Sequence, residues 1–463
     1  MEPQSGHLGR QASLSLFILI VAATLAVVLD RVGVAVAVLV SLALVLVMAV
    51  GTVSGLLAGT MRLPVYLTGG GDLPVGAVGL IVAVLVAGEP RLQPVAAMAA
   101  LALWALFVAP LMRRTGMPGL PGALGHAFGS RVLQVPLAIL AAGWCIVFAA
   151  SHLARAVQVM APMLSLRDGT AVALAGAMLA LVVVPGGLRG GTRMAVSLGL
   201  VALLAAAAVV TSGLAGGGLT LSRIVQATAV GTGTGMEQAL ALAGLVAAPH
   251  LAAVAAAGRS AGTVREGGLW GALSSILIAA ALIATDTTKT PSGLAVLLPM
   301  ATAGAGLAVD LASAGLLLHA AGVALGYELR GPVDRRRNPM SQRFATVRVA
   351  GLTCIVAASI LAVWRPALIE AMTGPATALL VAGMGPPLVL AVASRAPGRW
   401  GGLLGSTVGL VTTLVLLTGQ VMPAWLPEPA GFAGLLFGLV VGLFPALASR
   451  RREPAVTVEE GAL

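Results

Sequence analysis

Charge is what this sequence has least of. Only 9% of its 463 residues are Asp, Glu, Lys or Arg, against about 25% in an ordinary soluble domain. Such a chain cannot clothe a water-facing globule. Aromatic residues make up 3% of the chain, and no run of basic residues is interleaved with them. Nucleic acid is therefore set aside as a partner, despite a formal net charge of +11. Two cysteines exclude a disulfide scaffold. Cys145 and Cys354 both fall inside apolar runs and read as small packing residues. No His or Cys pair stands at metal-ligand spacing, so no metal is expected beyond a transported cation, and no cofactor is indicated. An enzyme is not expected either, because there is no Ser-His-Asp order with supporting glycines and no carboxylate pair beside an aqueous cleft.

What is abundant is apolar surface. The chain is 59% hydrophobic with a mean hydropathy of +1.02, the signature of a polytopic all-α membrane protein. Apolar runs long enough to span a bilayer number fourteen, at 13–29, 33–59, 65–88, 92–112, 132–154, 169–186, 194–213, 233–257, 267–285, 294–328, 344–364, 371–394, 400–420 and 429–448. The 60 glycines suit a bundle whose helix backbones approach closely. The first run reads as a retained anchor, with a signal-peptide core as its alternative.

The basic residues test this count. If the first span starts in the cytoplasm, the even-numbered connections and both termini lie inside and hold 20 of the 27 Lys and Arg residues, from Arg10 and Arg62 to Arg450, Arg451 and Arg452. The other side holds seven, including Arg31, Arg155 and Arg365. That asymmetry is what the positive-inside rule demands, and one miscounted helix would scramble it. Lipid bilayer is thus the first partner, with N- and C-termini cytoplasmic in the cell membrane; oligomeric state is not encoded in any pattern here.

Function in such bundles gathers where a helix breaks. Leu67-Thr-Gly-Gly-Gly-Asp-Leu-Pro74 interrupts the third span, since three glycines and a proline oppose helix continuation. Asp72 within it is costly in lipid unless it is partnered or functional; as a connection residue it would be merely solvated. Gly244-Leu-Val-Ala-Ala-Pro-His250 interrupts the eighth span, where Pro249 frees an upstream carbonyl. Gly231-Thr-Gly-Thr-Gly235 lacks the Lys-Ser/Thr of a phosphate loop and reads as a turn. The tenth span carries Asp310, Ser313 and His319. Ser151, His152 and Arg155 fall at the outer end of span five, where interfacial snorkelling accounts for them. Trp104, Trp144, Trp270, Trp364, Trp400 and Trp425 read mostly as anchors near span ends.

Breaks five spans apart, in the third and eighth spans, predict two inverted five-helix repeats. Four stretches then carry a resemblance: Met61-Arg-Leu-Pro-Val-Tyr-Leu-Thr-Gly-Gly-Gly-Asp72; Met112-Arg-Arg-Thr-Gly-Met117 with Phe128-Gly-Ser-Arg131; Val184-Pro-Gly-Gly-Leu-Arg189; and Ala243-Gly-Leu-Val-Ala-Ala-Pro-His250. In this order the chain resembles the sodium:solute symporter family, and within it the acetate and short monocarboxylate permeases. The resemblance implies a LeuT-like core at 61–394, with repeats at 61–213 and 232–394. Two peripheral helices precede it within 1–60, two follow within 395–449, and 450–463 forms a tail. It implies a sodium ion between the first and eighth core helices, held at Gly70, Asp72, Leu73, Val309, Ala312 and Ser313. A small organic substrate, a monocarboxylate such as acetate, would lie at Gly71, Pro74, Gly244, Pro249 and His250. The sequence departs from the family at Ala312, where a hydroxyl is usual, at Arg193-Met-Ala195, where an acid is usual, and at Val254, where an Arg is usual. Asp310 and Asp72 offer a proton site in place of sodium. Symport by alternating access is the expected activity, and a non-transporting sensor or assembly partner is the alternative.

Overall fold

A computed structural model describes residues 5–88, 94–215, 235–283, 297–329, 340–394, 397–419 and 430–448. Every described span is helical. Eleven helices are each long and apolar enough to cross a membrane. One of these, Asp168–Thr211, holds spans six and seven on either side of Gly187. Span three is divided by its own break, and span nine is the 23-residue helix Ala261–Ile283. Each of the fourteen expected runs thus finds its helix, most with ends shifted by a few residues. Span five extends to a 33-residue helix, Arg131–Met163, started by Ser130, whose hydroxyl accepts from the Leu133 N–H at 3.3 Å. One short helix was not foreseen, Leu120–Phe128, in the connection between spans four and five.

Span ten is the axis of the bundle. It runs Leu297–Val323 and closes with a wide π turn, Ala324–Glu328, and residues 307 to 324 are all buried. Spans two, five and eleven and the helix that holds spans six and seven pack around it. The outermost pair behaves differently. Span thirteen (Arg399–Gly419) and span fourteen (Ala430–Ala448) meet along Gly401, Gly405 and Gly409 on one helix and Gly434, Gly438 and Gly442 on the other. A Cβ on Gly438 would lie 2.4 Å from the Gly405 carbonyl oxygen, so the two backbones touch directly. Small residues four apart make that approach geometrically available in lipid.

Connections that share the expected parity converge on one face. Arg113 donates to the Ala256 and Arg259 carbonyls at 3.3 and 3.2 Å, and Arg114 to the Ala391 carbonyl at 3.1 Å. Arg348 donates to the carbonyls of Thr60 and Pro185 at 3.1 and 3.3 Å and stacks over Phe344 at 4.0 Å. The ends of spans two, four, six, eight and twelve therefore share an arginine-rich face.

Helix interruptions stand at both expected places, the first beside Arg113 and Arg259 on the arginine-rich face and the second within span eight. Helix Leu63–Thr68 stops at Gly69, Gly70 and Gly71, whose φ angles are 69°, 100° and 68°. Three successive left-handed residues are open only to glycine, which is why the triplet stands there. After Asp72 and Leu73 the chain resumes as helix Val75–Ala87 behind Pro74. In span eight, helix Gly235–Val246 gives way at Ala247-Ala248 to helix Pro249–Ala257. A third interruption is at Gly187 (φ 56°), where a Cβ would lie 2.5 Å from the Tyr66 carbonyl oxygen. The Val184-Pro-Gly-Gly motif thus seats the short helix of span three, and the Tyr66 hydroxyl donates to the Val183 carbonyl at 3.2 Å.

Candidate functional site

The polar interior is built on one face of span five. Trp144, Phe148, His152 and Arg155 recur at helical spacing, so their side chains form a stripe. At its lower end the Trp144 ring stacks on Phe148 at 4.1 Å and on His250 at 5.7 Å. The Trp144 indole N–H donates to the Thr377 hydroxyl on span twelve at 3.4 Å. His250 follows Pro249 directly beyond the break in span eight, and its Nδ1 is buried without a partner.

At the upper end three ionisable groups meet. Asp310 Oδ1 lies 2.8 Å from His152 Nδ1 and accepts from Arg155 Nε at 3.0 Å. Arg155 Nη2 also donates to the Gly88 carbonyl, at 2.8 Å, and its Nη1 to the Ser151 hydroxyl at 3.2 Å. The His152 and Asp310 side chains are 5% and 8% exposed, whereas Arg155 is 30% exposed. The carboxylate is thus neutralised inside the bundle and the guanidinium reaches toward its edge. Gly88 makes the junction possible, because a Cβ there would lie 2.8 Å from His152 and 3.0 Å from the Ser313 hydroxyl. That hydroxyl is itself buried without a partner.

Asp310 therefore has the partners that its cost in lipid requires, but they are residues that snorkelling was expected to explain. The expectation for Ser151, His152 and Arg155 is corrected: His152 is buried, and Arg155 turns inward to Asp310 and Gly88. Their i, i+1 and i+4 spacing opposite an intramembrane acid was the signal available in the sequence.

The six residues expected to hold sodium do not form one cluster. Val309 and Ser313 lie against Gly88, with Ala312 buried between them on span ten. Gly70, Asp72 and Leu73 sit at the other end of the 13-residue helix Val75–Ala87, about 20 Å away along its axis. There the Leu73 N–H donates to the Ala257 carbonyl at 3.0 Å, and the Leu73 carbonyl accepts from the Arg259 N–H at 3.2 Å. The resemblance implies a glycine break level with Val309 and Ser313; the intervening half-helix separates them. The expected substrate residues divide in the same way. Gly71 lies beside Arg113, and Pro74 caps helix Val75–Ala87. Gly244 faces Thr377, and Pro249 lines a small cleft with Ala253, Ala320 and Glu328. The first break abuts the far end of Pro249–Ala257, so the two breaks are offset by that nine-residue helix, about 13 Å.

Two further polar positions lie toward the arginine-rich face. Asp72 exerts its field on Arg193 of span seven, where Arg189 is also a neighbour. Glu328, which no sequence motif marked, is 2% exposed at the end of span ten. It accepts from the Gly122 N–H at 2.9 Å, near the start of helix Leu120–Phe128. A Cβ on Gly119 or Gly122 would lie within 2.7 Å of its carboxylate, so those glycines open its seat.

The order of the described helices and the central tenth span define the fold: a LeuT-like helical bundle. No protein-family model and no curated protein matches the sequence. Among solved structures, a Na+-coupled sialic acid symporter, described in a substrate-bound outward-open state, shares the fold. It aligns over 91% of this chain and 99% of its own at 13% identity, with a TM-score of 0.70. A manganese transporter of Eremococcus coleocola (83% and 92% covered, 16% identity, TM-score 0.43) and Mhp1 in an inward-facing conformation (87% and 90%, 15%, 0.40) are looser likenesses.

Proposed function

We propose that this protein is a cation-coupled secondary symporter that works by alternating access, with the arginine-rich face and both termini in the cytoplasm. The observation that carries this reading is a pair of discontinuous spans, the third and eighth, within a fold shared with a Na+-coupled symporter. Repeats at 61–213 and 232–394 follow from the same pairing. The four ordered motifs favour the sodium:solute symporter family and a small organic solute, a short monocarboxylate such as acetate. The stacked Trp144 and His250 beside the span-eight break supply an apolar wall with a polar tip, suited to a small amphipathic ligand. A coupling ion can drive the inward–outward change only by binding one state better than the other. Sodium is supported by the shared fold. A proton is supported by the division of the expected sodium ligands and by Ala312. That same division favours a second reading, a non-transporting relative that senses ligand or assembles with another membrane protein.

Counterflow of labelled short carboxylates into proteoliposomes, with and without sodium and against protein-free vesicles, tests the proposal. Exchange above the protein-free level is expected. Its absence for every carboxylate, with ligand-dependent thermal stabilisation retained, would favour the sensor.

A further inference from the structure

We propose that His152 is a proton switch, whose Nδ1 alternates between donating to Asp310 and accepting from Arg155. The proposal rests on the transport reading for its physiological meaning but not for its geometry. His152 Nδ1 is 2.8 Å from Asp310 Oδ1 and 2.6 Å from Arg155 Nη2, and Arg155 Nη2 is 2.9 Å from the same Oδ1. An imidazole nitrogen has one in-plane site, either an N–H or a lone pair. It can serve the carboxylate or the guanidinium, never both.

With the proton on Nδ1, and Nε2 also protonated, imidazolium donates to Asp310 and repels Arg155. With Nδ1 bare, the neutral ring keeps its hydrogen on Nε2 and accepts from Arg155, which then bridges ring, carboxylate and the Gly88 carbonyl. The balance is one proton taken from water and one returned to it. No bond other than N–H changes. The mechanical consequence lies at Gly88, the C-terminal cap of helix Val75–Ala87. Arg155 ties that cap to span five and, through Asp310, to span ten. Charging His152 weakens the tie at the end of helix Val75–Ala87 remote from the arginine-rich face, where Arg155 is already 30% exposed.

Among the described residues, few groups act on His152. Asp310 faces it from span ten and Arg155 from its own helix. His250 on span eight is a titratable neighbour within electrostatic reach. Span three brings no ionisable group within 75–88, and Glu89 and Arg91, which follow, lie outside the described residues. A fixed His–Asp pair would hold the Nδ1–H form at every pH. The third partner, Arg155, is what makes the alternative form available.

The experiment uses the full-length protein in detergent with 15N-labelled imidazoles, the His152→Gln variant identifying the His152 signals. The switch is expected to show both nitrogens protonated at low pH and Nδ1 bare at high pH, with Arg155→Gln returning the high-pH form to Nδ1–H. A wild-type ring that keeps Nδ1–H throughout overturns the proposal. A second arm uses labelled pyruvate in sodium-free proteoliposomes. Wild type should accumulate it at least tenfold under an inward proton gradient, while His152→Gln keeps counterflow and loses accumulation. Gradient-driven accumulation by His152→Gln equal to wild type also overturns it. If wild type moves no pyruvate at all, the carboxylate reading is what fails, and the nitrogen spectra still decide the switch.

Discussion

Asp310 shows how a single residue changes meaning once its neighbours are known. Alone on a lipid-buried helix it is a costly charge; beside Arg155 and His152 it becomes one corner of a neutralised cluster. Removing one partner of such a pair leaves the other charge stranded, which costs more than the pair contributes. Asp310→Ala is therefore expected to destabilise the protein by roughly 2–3 kcal/mol, lowered from a fully buried case because Arg155 can reach solvent. Asp310→Asn, which keeps the shape and an acceptor, should cost clearly less. Thermal melting in detergent separates the two; equal losses would mean the charge is not what matters. The tryptophans divide at the same scale. Trp270, Trp364 and Trp400 are 58%, 77% and 48% exposed, as anchors should be, whereas Trp104 and Trp144 are buried, and Trp425 lies outside the described residues. The turn at Gly231 also falls largely outside them.

At the scale of elements, glycine decides which helices can touch and which must stop. The Gly69 to Gly71 run ends a helix because its φ angles are closed to other residues, while Gly405 and Gly438 let spans thirteen and fourteen meet backbone to backbone. Gly438→Val would push its Cβ into the Gly405 carbonyl and the Pro386 ring. A loss of about 1–3 kcal/mol is expected from overpacking, read as an earlier thermal transition, with counterflow by the surviving folded fraction unchanged if these spans are peripheral to transport. Lost exchange at full stability would place them inside the moving core. Span ten is fastened at two levels, with Asp310 bonded to His152 and Arg155 of span five and Glu328 accepting from Gly122 of helix Leu120–Phe128. One rod therefore carries two polar fastenings, one near its middle and one at its end.

For the molecule as a whole, the charge asymmetry becomes a statement about topology. Arg113, Arg114 and Arg348 hydrogen-bond across connections of one parity, which brings those described ends onto one face. Met61 and Val32 mark the two faces, 80% and 77% exposed, and the native Cys145 and Cys354 are buried. A membrane-impermeant maleimide should label Val32→Cys in intact cells and Met61→Cys only after permeabilisation. The reverse pattern would invert the proposed orientation and with it the direction from which a coupling ion enters.

Hydropathy, charge parity and the composition of the breaks are properties of neighbouring residues, and the sequence by itself determined what depends on them: the helical class, the fourteen runs, the two interruptions and the shared face of the arginines. Asp310 lies 155 residues from Arg155 and 158 from His152; no local pattern joins them, and packing of spans three, five and ten brings them together at Gly88. The level of each break along the bundle was settled the same way. A motif records where a helix stops, but how far that stop lies from another helix depends on tilt and on the length of the half-helix between. Tertiary packing alone divided the expected cation ligands and moved the ionisable centre onto span five, because charges in lipid must find partners wherever the fold delivers them.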